Sequence, residues 1–410
     1  MVPLRPMSDL FLTGIGHLTT NEGDSVNDAV VVIDNGLISY SGSSAEAPEH
    51  RGRPLIDCGG RAVIPGFVDS HTHLVFAGDR SDEFSRRLAG EAYTEIAAAG
   101  GGILATVRST RQASEDELFA LTAARVWTMI RGGTTSIEIK SGYGLDLETE
   151  LRLLKVANRI ADDLPVTVRT TFLGAHSVPP EYRSDRDGYV DLLIDEMLPV
   201  AAELADFCDV FVEDNVFSID EARRIFVAAG ALGLPARVHA EQLSHLGGAA
   251  LAAELGAASA DHLDHITIDD AKALAAAQVS AVLVPGAAYT LGTPQPSGRM
   301  LWDAGCTVAL ATDCNPGTSY METMGLVISL AVVQMGLTTQ EALWAATRGG
   351  ALSLGLDDRG LAAIGSAADL VVLDAPHPDH IPYRPATNLV SATIKDGALV
   401  AGGDLNTSSS

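Results

Sequence analysis

The segment Val68-Asp69-Ser70-His71-Thr72-His73 sets two imidazoles two residues apart. On a strand, residues i and i+2 face the same side. His71 and His73 can therefore grip one cation from one side. Spacing alone says little, because most such pairs are incidental. Further along, His176 closes LGAHS, His239 lies in RVHAEQ, His262 in SADHLDH and Asp313 in LATDCNPG. Each follows a short apolar run, so each reads as a polar group at a strand end. A buried imidazole or carboxylate is costly unless partnered, and a whole series of them is hard to explain as core filling. Three imidazoles and one carboxylate suit a single divalent cation, Zn2+ or Fe2+. Such an ion brings the pKa of bound water to about 7, which supplies a nucleophile for amide-type hydrolysis at neutral pH.

These residues need elements to bring them together. Eight short apolar runs alternate with helical stretches: around 62–70, 134–140, 166–174, 207–213, 235–240, 258–263, 280–285 and 307–312. Several are rich in Val, Ile and Thr and too short for helices. Between them, Leu153, Leu154, Ala157, Ile160 and Ala161 recur at helical spacing. Ser218 with Glu221 and Thr338 with Glu341 form capping boxes. Ala222, Ile225, Phe226 and Ala229 share one face, and Gly230 stands where a C-cap belongs. Eight strands alternating with helices give an α/β fold, a (β/α)8 barrel whose active site lies at the C-terminal strand ends. A doubly wound sheet also alternates, but no glycine-rich phosphate fingerprint follows the first strand. Residues 29–41 form a hairpin about Asn35-Gly36, residues 391–403 another about Asp396-Gly397, and 368–374 a further strand. The expected organisation is a small composite β domain from 1–64 and 359–410, around a barrel from 65–358.

The chain has 410 residues, 47% of them hydrophobic, and a formal net charge of −26. That charge excludes nucleic acid and anionic membrane surfaces as partners. An anionic substrate would need a locally placed cation. Cys58, Cys208, Cys306 and Cys314 form no C-x-x-C pair, so neither a disulfide framework nor a zinc knuckle is expected. No apolar run has spanning length, and no basic-then-apolar leader opens the chain. The expectation is a soluble cytoplasmic protein.

With PGFVDSHTH, the histidines on strands five and six and the aspartate on strand eight, the chain resembles the amidohydrolase superfamily in its mononuclear form. Binuclear members usually carry a bridging carboxylated lysine on strand four. Here Lys140 lies on strand two and no lysine lies between 156 and 271, which favours one metal. More narrowly, HTHLVFAGDR, SGYGL, FLGAH, HAEQ, SADHL and TDCNPGT resemble the imidazolonepropionases, in the same order.

That resemblance implies metal ligation by His71, His73, His239 and Asp313. It places Arg80 on a substrate propionate, as a guanidinium fork suits. It places Tyr143, His176, Asn315, Gly317 and Thr318 around the substrate, and Tyr93 near the propionate. Gln242 would contact the ring. Some family members carry Glu there, which puts an acid–base role at 242 in doubt. Glu241 should point away from Gln242. Asp313 would accept the proton of the attacking water, and His262 would orient the nucleophile and stabilise the oxyanion. The implied reaction opens 4-imidazolone-5-propanoate to N-formimidoyl-L-glutamate, in histidine degradation, within a homodimer. Two other readings stay open: a deaminase of a cyclic amidine or purine, and a metal-free structural homologue.

Overall fold

Runs of Val, Ile and Thr become strands because β-branched side chains fit a pleated, half-buried surface. The structure, a computed structural model, describes residues 9–91, 95, 100–402 and 406–408. Five strands precede the barrel: β1 Leu10–Leu18, β2 Val26–Asp34, β3 Leu37–Ser43, β4 Leu55–Asp57 and β5 Ala62–Pro65. The barrel strands are β6 Phe67–Asp69, β7 Thr134–Lys140, β8 Thr167–Ala175, β9 Phe207–Phe211, β10 Ala236–Ala240, β11 Ser259–His262, β12 Ser280–Leu283 and β13 Val308–Leu310. Four follow: β14 Leu370–Leu373, β15 Val390–Lys395, β16 Ala398–Gly402 and β17 Asn406–Ser408.

Strands β6 to β13 pair in parallel, each with its neighbour in sequence. The ends of this sheet meet just beyond β6 and β13. Thr72 bridges Cys314, Asp313 N–H donates to the His71 carbonyl at 3.0 Å, and His73 N–H donates to the Cys314 carbonyl at 3.0 Å. Asp69 reinforces the closure by accepting Thr312 N–H at 2.9 Å and its hydroxyl at 2.6 Å. The barrel seam therefore brings residues from the two ends of the sequence of strands side by side.

Helices cover the outside. Leu147–Asp163 buries Leu153, Leu154, Ala157 and Ile160. Ala161 faces solvent, one position beyond the apolar stripe. The Ser218–Glu221 capping box starts Ile219–Ala231, and Thr338–Glu341 starts Thr339–Trp344. Gly230 is not the C-cap. The helix continues to Ala231, and the chain turns back at Gly233, φ +83°, while the Ala229 carbonyl accepts the N–H groups of Leu232 and Leu234.

The other sheet runs β16-β15-β14-β5-β1-β2-β3, with β4 paired to the first part of β1 and β17 paired to β4. Leu12, Val31, Ile33, Val63, Leu370 and Ile394 form its core, drawn from both ends of the chain. Both expected hairpins are present, with Asn35, Gly36, Asp396 and Gly397 all at positive φ. The 62–70 run, expected as one barrel strand, divides at Gly66. Residues 62–65 pair with β1 and β14, and only 67–69 enter the barrel. The Gly66 N–H bonds to the Asp369 carbonyl, which turns the chain from one sheet to the other.

Candidate active site

His71 and His73 follow β6 and are essentially fully buried, as are His239 at the end of β10, His262 at the end of β11 and Asp313 after β13. Asp313 Oδ1 lies 3.6 Å from His71 Nε2 and 3.5 Å from His73 Nε2. His73 Nε2 and His239 Nε2 are 3.4 Å apart. The His262 ring centroid stands 5.3 Å from that of His71 and 5.1 Å from that of His239. His71, His73 and Asp313 can offer atoms to one ion, and so can His71, His239 and His262.

Three of these atoms, His71 Nε2, His262 Nδ1 and Asp313 Oδ2, are buried with no hydrogen-bond partner. Buried polar atoms are ordinarily satisfied, so their convergence marks a place for a cation. Burial pushes the His71, His73 and His262 pKa values well below the ordinary range, which keeps the rings neutral, the state a metal ligand needs. Burial also pushes Asp313 well above the usual carboxylate range. An adjacent cation reverses that direction. Imidazole and carboxylate donors of this kind suit a metal ion. Glu241, His262 and Asp313 all have positive φ, at 54°, 79° and 51°. Left-handed backbone in non-glycine residues is strained, and such strain clusters at functional sites.

Beneath the rings lies a layer that the sequence reading missed. His71 Nδ1–H donates to Asp261 Oδ2 at 2.6 Å, and His239 Nδ1 is 2.9 Å from Asp209 Oδ2. Lys140 Nζ donates to Asp209 Oδ2 and to Glu138 Oε1, both at 2.7 Å. Glu138 Oε2 accepts the N–H of Thr72, between the two histidines, at 3.1 Å. Arg237 donates to Asp261 at 3.3 Å and to the Ser70 carbonyl at 2.8 Å. All five charged groups are fully buried. Burial lowers the Lys140 pKa, but Asp209 and Glu138 outweigh it and hold the ammonium above its ordinary value. A signal was present in the sequence: Glu138 and Lys140 stand two apart on one strand, and Arg237 two residues before His239 on another, each pair on one strand face.

Around this floor, the pocket residues take different positions. His176 stacks on His73 at 5.0 Å and its Nδ1 lies 3.0 Å from the Gly142 carbonyl. Burial pushes its pKa down to about 3, so the neutral ring donates from Nδ1 and presents Nε2 as an acceptor. Gly142, at φ +112°, allows this approach, since a Cβ there would lie 2.9 Å from His176 Nδ1. Tyr143 is buried beside His73, His176 and Phe76. Arg80 is held by Glu83, with Nε and Nη2 both 3.0 Å from Oε2. Its Nη1 reaches the loop after Asp313, where a Gly317 Cβ would stand 2.7 Å from it.

Asn315 Oδ1 accepts the N–H groups of Gly317 and Thr318, both at 2.8 Å, and its Nδ2 donates to the Asp313 carbonyl at 2.7 Å. Its amide thus organises the loop, and the Gly317 N–H is already engaged. Glu241 accepts N–H groups of Leu246, Gly247 and Ala249, so it faces a helix start. Gln242 beside it is half-buried. Tyr93 lies outside the described residues.

The amidohydrolase family profile matches residues 86–401. The imidazolonepropionase of Symbiobacterium thermophilum is 48% identical over 417 residues, covering 97% of this chain and 98% of its own. That of Streptomyces griseus subsp. griseus is 46% identical, covering 96% and 100%. The chain belongs to the imidazolonepropionase family of amidohydrolases. Solved amidohydrolases share the fold at lower identity. A 5-methylcytosine deaminase from Klebsiella pneumoniae superposes with TM-score 0.74 at 16% identity, covering 97% of this chain and 98% of its own. A zinc-bound adenosine deaminase from Xanthomonas campestris gives 0.70 at 19%, covering 95% and 92%. No helix among the described residues is long and apolar enough to cross a membrane.

Proposed function

We propose that the chain hydrolyses the cyclic C–N bond of 4-imidazolone-5-propanoate to N-formimidoyl-L-glutamate. The observation that carries this reading is Arg80, a cation in a strongly acidic protein, set beside the loop that follows Asp313. A substrate carboxylate gives that guanidinium a second partner through charge-assisted hydrogen bonds.

His71, His73, His239 and Asp313 would hold one Zn2+ or Fe2+. When bound, that ion supplies Lewis acidity and makes water nucleophilic at neutral pH. The side chains do the rest. Arg80 anchors the propionate, with Thr318 and Asn315 shaping the adjoining loop. His176 offers Nε2 to a ring N–H, Tyr143 closes the wall beside it, and Gln242 takes a neutral contact with the ring. Asp313 accepts the proton of the attacking water as oxygen bonds to the ring carbonyl carbon. His262 stabilises the oxyanion that develops. The C–N bond then breaks as the nitrogen receives the proton from Asp313. A cytoplasmic setting and a homodimer accompany this reading through the family, and light scattering tests the latter against the 42.7 kDa chain.

The deciding experiment is an absorbance assay with freshly generated imidazolone propionate, run beside guanine, adenosine and cytosine. Turnover confined to the imidazolone supports the reading. Turnover of a neutral base alone supports a deaminase instead.

A further inference from the structure

Lys140 takes no part in the proposed chemistry, yet its fully buried ammonium touches the supports of three proposed ligands. Its nearest partners are Asp209 Oδ2 and Glu138 Oε1, at 2.7 Å, with Asp261 Oδ2 at 3.6 Å. Asp209 accepts the His239 backbone N–H at 3.2 Å through Oδ1 and faces the His239 ring through Oδ2. Asp261 holds the His71 ring. Glu138 holds Thr72 from both sides, its carboxylate taking the N–H and its carbonyl taking the hydroxyl at 2.6 Å. Lys140 therefore bonds Asp209 and Glu138 directly and lies in ion-pair range of Asp261, which Arg237 also holds; these carboxylates in turn fix His239, the peptide between His71 and His73, and His71.

We propose that Lys140 is the positioning residue of the metal centre: through Asp209, Asp261 and Glu138 it holds His71 and His239 with Nε2 toward the ion. The proposal rests on the metal-site reading given above. Each direct partner of Asp209 is a donor, Lys140 Nζ, the His239 N–H and the His239 ring, so a carboxylate suits the site and an amide does not. An asparagine would turn its NH2 against an ammonium, a backbone N–H or a protonated ring nitrogen. Its alternative is to flip the His239 tautomer and close Nε2 to the metal.

A purely electrostatic role makes the opposite forecast. Lys140 is a positive charge near a cation site, so if charge alone mattered, Lys140→Met would tighten metal binding. A positioning role forecasts weaker binding, because the released carboxylates no longer hold the rings. The test uses metal-free full-length protein titrated with Zn2+ against a chromophoric chelator, with visible absorption of the Co2+ form as a probe of ligand geometry.

Lys140→Met and Asp209→Asn should each weaken Zn2+ binding by about tenfold to a hundredfold and change the Co2+ spectrum. Because Lys140 acts through Asp209, the double variant should lose no more than the worse single variant. Ser259→Ala is a milder lever on the same network, since Ser259 Oγ donates to Asp261 Oδ1 at 2.5 Å. It should weaken binding severalfold even if Lys140→Met fails to fold. In variants that still turn over, kcat should fall more than KM rises. Unchanged or tighter Zn2+ binding in Lys140→Met or in Ser259→Ala, or additive losses in the double variant, overturns the proposal. Wild-type protein that binds no Zn2+ refutes the metal-site reading instead, a result these variants cannot mimic.

Discussion

Gly317→Ala adds one methyl group directly against the Arg80 guanidinium. Gly317 does not have positive φ, so alanine meets no backbone penalty there. Its Cβ would lie 2.7 Å from Arg80 Nη1, 3.3 Å from Asn315 Oδ1 and 3.4 Å from Arg80 Cζ. Reaching ordinary contact near 3.4 Å requires Nη1 to retreat by about 0.7 Å from its 2.7 Å position. Arg80 cannot simply swing aside, because Glu83 holds both Nε and Nη2. Glu83 is itself fixed by the Gly102 N–H. Charge-assisted N–H···O contacts work best at about 2.7–2.9 Å, so a shift of this size breaks one arm of a carboxylate clamp. Hydrogen bonds to charged groups contribute about 1.5–3 kcal/mol, or roughly tenfold to a hundredfold in kcat/KM. The assay is initial-rate loss of imidazolone absorbance for wild type, Gly317→Ala and Arg80→Met, with thermal unfolding as a fold control. The same assay is repeated with an imidazolone lacking the carboxylate. Both variants should lose kcat/KM on the full substrate and be nearly silent on the truncated one. Equal losses on both substrates would falsify the clamp. A fully active Gly317→Ala beside an inactive Arg80→Met would show that Arg80 relaxes without penalty.

Three other outcomes are expected. His262→Asn should keep its metal content, measured by elemental analysis, because asparagine tolerates the left-handed backbone at φ +79°. Its kcat should fall by roughly a hundredfold to a thousandfold, as for loss of an oxyanion donor, and wild-type turnover would remove His262 from the mechanism. Chelation should lower the thermal midpoint and Zn2+ or Fe2+ should restore it, since an ion at a hundred times its Kd adds about 2.7 kcal/mol; an unmoved midpoint would count against the metal. The metal-free protein should lose stability in mild acid. Burial depresses the His176 pKa from 6.5 to about 3, so its contribution is complete above pH 6.5 and lost as pH falls toward 3. Linkage gives up to about 2 kcal/mol between pH 6.5 and 5. His176→Phe should flatten that part of the pH–stability curve, and an unaltered slope would contradict the assignment.

Much of the site is written locally. The period-two spacing of His71 and His73, the eight apolar runs and the two hairpin dipeptides are properties of a few neighbouring residues, so the strands and most strand ends could be read directly. The helix capped by Ser218 was readable at its start, because a capping box is local. Its end was not, because the turn at Gly233 depends on where the Ala229 carbonyl finds its partners. The division at Gly66 was likewise hidden, since an unbroken apolar run carries no sign that its halves pair with different sheets.

The sequence by itself determined which side chains could ligate a cation and that they sit at strand ends. Only the closed barrel decided that Asp313 meets His71 and His73, because the seam at Thr72 and Cys314 joins the first barrel strand to the last. Closure also decided what Glu138, Lys140, Asp209, Arg237 and Asp261 do. Alternating charges along a strand read as a solvent-facing side, but inside a barrel that side has no solvent. Buried there, these charges are stable only when paired with one another and with the imidazoles above them.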